Sequence, residues 1–119
     1  MKYVIMIYGN PDAPAHPALG PGTATPGFDP LLREIAESGE LIDARALADP
    51  VTASTLRLHD GVLASMAGPF PAGLEHLVAF VVVDCESRDR AAEIAGWFPN
   101  AYTAGVEVRP VMGSSGLEM

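Results

Sequence analysis

Cysteine is nearly absent from this sequence, in which Cys85 is the single one among 119 residues. One thiol cannot form a disulfide within the chain, and a thiolate metal site needs a second cysteine. This usage is typical of reducing compartments, so we expect a cytoplasmic protein. Because Cys85 follows Asp84 at the predicted end of a strand, we interpret it as a small packing residue and not as a nucleophile.

Basic residues are scarce as well. Seven Lys and Arg residues stand against fifteen Asp and Glu residues, and the formal net charge is −8. This charge repels polyanions, and no cluster of basic residues offsets it locally. The apolar stretch at residues 2–8 is too short to span a bilayer. We therefore predict no nucleic-acid partner and no membrane partner.

The patterns that mark metal and nucleotide sites are also missing. The three histidines are scattered, without the His-x-His or Glu-x-x-His spacing that brings ligands to one metal. No glycine-rich loop leads into a helix, and the Gly-Pro-Gly at 20–22 contains a proline that phosphate cradles lack. The sequence therefore predicts no metal and no cofactor.

Apolar residues, by contrast, make up 49% of the chain, which is enough to fill one core. We predict one domain over residues 1–112 and a frayed tail over 113–119. Residues 11–27 contain five prolines and several glycines without apolar periodicity. They predict a long loop, of the kind that covers pockets.

Periodicity predicts strands at 3–8, 41–47, 77–83 and 106–111, with helices over 28–39 and 87–98. Between the second and third of these strands, Asp60-Gly61 separates two further strand-like segments and is the strongest hairpin signal in the chain. The order predicts an α+β protein. Its fold is a ferredoxin-like split β-α-β arrangement with a four-stranded antiparallel sheet plus an inserted β-hairpin.

Two helices on one face of such a sheet leave the other face open. We expect this open face to present Ile5, Ile7, Val81 and Val83, a patch too apolar to face water. Self-association would cover it, and we predict a homodimer.

Gly68-Pro69-Phe70 and the strand Val106-Glu107-Val108-Arg109-Pro110-Val111 carry a resemblance to a known family. Together with Asp60-Gly61 and the helix ending at Gly39, in this order and spacing, they resemble the YCII-related proteins of the Asp-Gly-Pro-Phe branch. The resemblance implies a dimeric α/β-barrel with a cavity between sheet and helices in each protomer. It also implies lyase, isomerase or dehalogenase-like chemistry on small cyclic substrates, with a His and Asp pair for proton transfer.

The chain departs from this family pattern at the chemistry. Phe28 stands in the position resembling the His, and Ala67 stands where the family has Asp. Ala72 and Leu74 also replace the usual Glu and Lys. Because Phe and Ala cannot carry a proton, acid–base catalysis would need other residues.

Four residues are candidates for that catalytic role: Glu75, His76, Tyr8 and Asp43. Glu75 matches the second Glu of the family motif, and His76 follows it at the start of a strand. Since neighbours in an extended segment point to opposite faces, at most one of the two is expected to line a given pocket. Tyr8 ends the first strand and has a hydroxyl that can either enter a cavity or anchor the strand.

Four further residues are predicted to contact substrate: Arg45, Phe28, Phe70 and His59. Arg45 shares a strand face with Asp43, and the two either bind a polar group or form a surface ion pair. Gly68 and Pro69 force a sharp turn that places Phe70 either in the core or in a pocket wall. Glu107 and Arg109, on one face of the last strand, are interpreted as an edge or interface salt bridge or as substrate contacts.

Three functions remain open. The first is a cofactor-independent lyase or isomerase acting on a small, largely apolar organic molecule, and a cavity with two convergent polar groups would favour it. The second is a non-catalytic small-molecule-binding or accessory protein, which a closed aliphatic cavity would favour. The third is a regulatory dimer without a ligand. The lidded pocket implied by the proline-rich loop puts the enzyme first.

Overall fold

The structure is a computed structural model that describes residues 1–10, 28–70 and 75–113. Its strands and helices are, in chain order, β1 (Lys2–Gly9), α1 (Phe28–Glu37), β2 (Leu41–Ala46), β3 (Ser54–His59), β4 (Val62–Ala67), β5 (His76–Asp84), α2 (Arg88–Ala95) and β6 (Gly105–Pro110). The predicted loop at 11–27, the altered motif positions Ala72 and Leu74, and the tail at 114–119 lie outside the described residues.

The main sheet has four antiparallel strands in the order β2-β5-β1-β6. The first and second strands of this sheet are not neighbours, because β5 lies between them. This order is consistent with a ferredoxin-like fold, and the α+β class with a four-stranded antiparallel sheet is confirmed. The described strands form no closed barrel within one chain.

One face of the sheet packs against the helices and forms the core. Ile5, Ile7, Val81 and Val83 are fully buried there, beside residues such as Phe98 from the segment after α2. The prediction that these four side chains line the open face is therefore wrong. Alternation along a strand shows which residues share a face, but only the crossing helices decide which face they cover.

The open face carries the alternate residues in two rows that cross all four strands. The strand register places Arg45, Phe80, Met6 and Glu107 in one row. It places Asp43, Val82, Val4 and Arg109 in the other. Each row thus has an apolar centre on β5 and β1 and opposite charges at its two ends.

The hairpin of β3 and β4 forms a separate two-stranded sheet. Asp60 and Gly61 connect the strands with φ of 51° and 78°, the positive values of a type I′ turn. Gly68 ties the hairpin base together, since its amide donates to the Ala53 carbonyl at 2.7 Å and its own carbonyl accepts from Thr55 Oγ1 at 2.8 Å. The strands otherwise extend into solvent.

A partly buried ion pair holds α2 against the beginning of β2. Ser87 caps the helix by accepting from the Arg90 amide at 3.1 Å. The Arg90 guanidinium then donates to both carboxylate oxygens of Glu40, at 2.8 and 3.0 Å, and lies 5.1 Å from the centre of the Trp97 ring. These contacts fix the helix layer on the sheet. Of the described helices, neither is long and apolar enough to cross a membrane.

Candidate functional site

A pocket of about 650 Å³ lies at the end of the main sheet where β1 ends and β5 begins. One wall is the loop from β2 to β3, and the other walls are the base of the hairpin and the start of β5. The lining residues are Tyr8, Leu47, Ala48, Asp49, Pro50, Thr52, Ala53, Ser54, Thr55, Leu56, Pro69, Phe70, Glu75, His76 and Leu77. The lining is mainly apolar and carries a few polar groups, as small-molecule sites do.

Local hydrogen bonds shape the loop wall. The Leu47 amide donates to the Val78 carbonyl at 2.8 Å and extends the pairing of β2 with β5 by one residue. A short 3₁₀ helix, Pro50–Thr52, follows and is capped by Asp49, whose Oδ1 accepts from the Val51 amide at 2.9 Å. Asp49 is therefore held in the pocket wall by its own backbone turn.

Tyr8 connects the pocket to the open face of the sheet. A bulge separates Ile7, paired with Ala79, from Tyr8, paired with Leu77. The Tyr8 hydroxyl donates to Glu107 Oε1 at 3.1 Å, and Arg109 forms an ion pair with the other oxygen of Glu107 at 2.5 Å. Glu107 is thus connected to the pocket through Tyr8. The sequence had suggested only an edge or interface salt bridge or a substrate contact for this residue.

The electrostatics of this trio keep the phenol protonated and the carboxylate charged. Burial, and after it the hydrogen bond to Glu107, raise the pKa of Tyr8 above its ordinary value. The hydrogen bond from Arg109, followed by that from Tyr8, lowers the pKa of Glu107. Tyr8 is thus a fixed neutral group at the pocket.

Glu75 and His76 both line the pocket, so the prediction that at most one of them does so is wrong. The alternation argument fails because β5 begins only at His76, and Glu75 precedes it in irregular chain. His76 pairs with Gly9 at the end of β1, next to Tyr8, and both His76 and Tyr8 line the pocket.

Phe70 lies in the pocket wall and not in the core. Its side chain is 59% exposed, and the Arg57 guanidinium lies 5.1 Å from its ring centre. Gly68, at φ 103°, makes the turn that the Gly-Pro sequence predicts. The wall interpretation of Phe70 is therefore the one that the structure favours.

The other predicted site residues lie elsewhere. Asp43 and Arg45 form an ion pair at 3.0 Å on the open face of β2. Phe28 packs against Phe98 on the helix side, with ring centres 6.0 Å apart. His59 is at the exposed tip of the hairpin, 3.4 Å from Asp60. The pocket thus brings together three of the four predicted catalytic residues and one of the four predicted substrate contacts.

The pocket is not the cavity between sheet and helices that the family resemblance implies. In the described part of the chain, packed side chains of the core fill that space. Sequence reasoning also missed Asp49, Thr52 and Thr55. A local signal for Asp49 does exist, because an Asp before Pro is a common start for a short helical turn.

A model of the YCII-related domain family matches residues 1–115. The chain belongs to this family. A YCII-related relative by sequence is an uncharacterized protein of Rhizobium meliloti (strain 1021), 37% identical over 81 residues. The match covers 66% of this chain and 65% of the relative, so it spans just under two thirds of that protein.

Phe28 and Ala67 occupy the positions where the resemblance implies an acid–base pair, and neither side chain can transfer a proton. Phe28 is part of the apolar packing, and Ala67 pairs with Ser54 at the base of the hairpin. Among residues 1–10, 28–70 and 75–113, no three His, Cys, Asp or Glu side chains lie together so as to hold a metal ion.

Proposed function

We propose that this YCII-related protein is a lyase- or isomerase-type enzyme that acts on a small organic molecule in the pocket, by proton transfer between its own side chains and the substrate. The observation that carries the proposal is the meeting of Tyr8, Glu75 and His76 at one mainly apolar pocket. A carboxylate and an imidazole are the groups that most often move protons in enzymes.

The three groups have different tasks in this proposal. His76 and Glu75 exchange protons with the substrate, one removing a proton and the other returning one at a second atom. Tyr8, held by Glu107, orients a polar atom of the substrate. The apolar wall formed by Leu47, Phe70 and Leu77 excludes water from the substrate body.

A non-catalytic binding protein is the second candidate. The observation that favours it is the replacement of the family-type pair by Phe28, which packs against Phe98, and by Ala67. In this alternative the pocket keeps its shape and binds a ligand for an accessory or regulatory role. The two candidates differ in whether Glu75 and His76 change the substrate or only contact it.

We further propose that the protein is a homodimer of the α/β-barrel type, with the open sheet faces packed together. The centre of this face is apolar, with Val4, Met6, Phe80 and Val82 partly exposed. Burying such a face is the usual solution for a sheet that has helices on one side only.

The charges at the edges of the open face are self-complementary. A two-fold axis parallel to the strands, lying between the two sheets, places β2 of one protomer over β6 of the other. Arg45 then lies over Glu107 of the partner subunit, and Asp43 lies over Arg109 of the partner subunit. Opposite charges therefore meet at both edges, which allows two copies to associate despite a net charge of −8 on each.

Native mass spectrometry of protein purified gently from its host tests for a co-purified small molecule. Once the ligand is identified, turnover and affinity are measured for the Glu75→Ala/His76→Ala double variant. The matched control is Glu86→Ala/His59→Ala, which removes the same two residue types away from the pocket. An enzyme loses turnover in the pocket variant while the control retains it, and a binding protein shows no turnover in any form. Unchanged turnover in both variants contradicts the assignment of these residues.

A further inference from the structure

Three of the four hydroxyl groups among the described lining residues, those of Tyr8, Thr52 and Thr55, donate their protons to other groups of the protein. Tyr8 donates to Glu107 at 3.1 Å. Thr52 Oγ1 donates to the Asp49 carbonyl at 2.7 Å, and Thr55 Oγ1 donates to the Gly68 carbonyl at 2.8 Å. Because a hydroxyl has one proton, each of these groups has only lone pairs left for a ligand.

The ionisable groups of the wall add acceptors too. Asp49 uses Oδ1 for the Val51 amide, which leaves Oδ2 for another donor. Both carboxylate oxygens of Glu75 can accept hydrogen bonds from a ligand, since Glu75 has no hydrogen bond or ion pair with the described residues. Among the described residues that line the pocket, none is Lys or Arg.

Side-chain donors in the wall are correspondingly few. His76 offers one ring N–H when neutral, and Ser54 offers one hydroxyl proton. Arg57 contacts the lining residue Phe70, but its guanidinium lies over the Phe70 ring, and Arg57 itself is not among the described lining residues. Among the side chains of the described lining residues, acceptors therefore outnumber donors, and the formal charge of these side chains is negative.

We infer that the ligand of this pocket carries an ammonium or amidinium group on a small apolar body. Such a group brings several N–H donors and a positive charge, which together match the lone pairs of Tyr8 and the carboxylates of Asp49 and Glu75. A carboxylate or phosphate ligand would face carboxylates without a cation to pair with. The inference rests on the proposed small-molecule site and specifies its substrate class.

Three probes of nearly the same shape isolate the charge: benzamidine, benzamide and benzoate are respectively cationic, neutral and anionic near pH 7. Binding is followed by ¹H–¹⁵N NMR titration of the full chain. Benzamidine is expected to bind at least about tenfold more tightly than benzoate, because the two carboxylates attract the one and repel the other. Benzamide lies between them. The shifted resonances belong to residues 47–56 and 75–77.

Single variants test the contacts. Asp49→Asn keeps the acceptor that caps the 3₁₀ helix while removing the charge, and Glu75→Gln does the same at the other wall. Each is expected to weaken benzamidine about fivefold and to leave benzamide unchanged. Glu86→Gln is the matched control, since it changes the net charge equally and lies outside the pocket.

Each result bears on the inference in a distinct way. If benzamide or benzoate binds as tightly as benzamidine at these residues, the pocket stands and the cationic ligand class is wrong. If Glu86→Gln weakens benzamidine as much as Glu75→Gln, the probe responds only to the net charge of the chain, and the inference is overturned. If no probe shifts the pocket resonances, both the site and its substrate class are overturned.

Discussion

The helix side and the pocket end of this protein differ in how far their side chains are buried. On the helix side, Ile5, Val81, Ile94 and Phe98 are closed off from water, and one ion pair between Arg90 and Glu40 fastens the layer. At the pocket end, Phe70 and other large side chains remain exposed. The wall there carries carboxylates and hydroxyls that already donate hydrogen bonds within the protein. Packing on the helix side therefore supplies most of the stability of the fold. The exposed side chains at the pocket end are then available to contact a ligand.

The largest expected effect comes from a cavity in the core. Phe98→Ala removes a ring that is 1% exposed and should lower the free energy of unfolding by about 3–5 kcal/mol. Leu58→Ala, in the hairpin and 73% exposed, should change it by less than about 0.5 kcal/mol. Urea denaturation followed by circular dichroism measures both. Equal losses at the two sites would show that the hairpin is as well packed as the core.

The ion pair of Glu40 is expected to have a smaller, pH-dependent effect. Hydrogen bonds from Arg90, and next from Ser38, lower the pKa of Glu40 in the folded chain. A depressed folded pKa means that the contribution is present above the unfolded value, near 4.5, and is lost as pH falls through the folded pKa.

Glu40→Gln should therefore lower stability at pH 7 and reduce the loss of stability on acidification. Denaturation midpoints at pH 7 and between pH 5 and 3 measure this difference. Glu37→Gln is a matched control on the exposed surface of α1, for which we expect no change at pH 7. If the denaturation midpoints of wild type and Glu40→Gln fall equally as the pH is lowered, the ion pair does not have the role assigned to it.

The proposed assembly through the open face can be tested by charge reversal. In the proposed dimer, Arg45→Glu places like charges over Glu107 of the partner subunit and should weaken association about tenfold. The Arg45→Glu/Glu107→Arg double variant should restore association if the two-fold axis lies parallel to the strands. Sedimentation equilibrium measures the dissociation constant, with Arg57→Glu on the hairpin as control. A monomeric wild type, or a dimer indifferent to Arg45→Glu, would contradict this interface.

The smallest effect concerns Tyr8. Burial and Glu107 raise its pKa, so its contribution to stability is complete below the unfolded value of about 10 and is lost as pH rises through the higher folded pKa. Absorbance titration near 295 nm follows the three tyrosines. Tyr8→Phe identifies the signal of Tyr8.

Glu107→Gln should shift the pKa of Tyr8 downward, because it removes a negative charge and weakens the hydrogen bond. Glu86→Gln makes the same change of charge at a distance and should leave the titration in place. If Glu107→Gln leaves the Tyr8 transition where it is in the wild type, the contact between them does not persist in solution.

Much of the fold followed from local signals. Asp60-Gly61 requires two positive φ values and so predicted the turn between β3 and β4. The apolar run before Asp84 predicted the central strand β5, which has neighbours on both sides. The apolar stripe after Ser87 predicted α2, whose N-cap in the structure is Ser87.

The site was harder to predict than the fold. Tyr8, Glu75, His76 and Phe70 were candidates from the sequence, but so were Asp43, Arg45, Phe28 and His59, which lie away from the pocket. Nothing local distinguishes the two sets, since proximity depends on how the β2–β3 loop folds over the sheet end. The hydroxyl protons of Thr52 and Thr55 are used in hydrogen bonds to the carbonyls of Asp49 and Gly68, and only the folded structure shows these bonds.

The sequence by itself determined which residues share a face, where the chain turns and how much apolar surface must be buried, because these depend on periods and on the φ preferences of single residues. Tertiary structure alone decided that Ile5 and Val81 face the helices, leaving Val4 and Val82 on the open face. It alone brought the end of β1 beside the β2–β3 loop. These outcomes depend on contacts between distant segments, whose free energy no local pattern encodes.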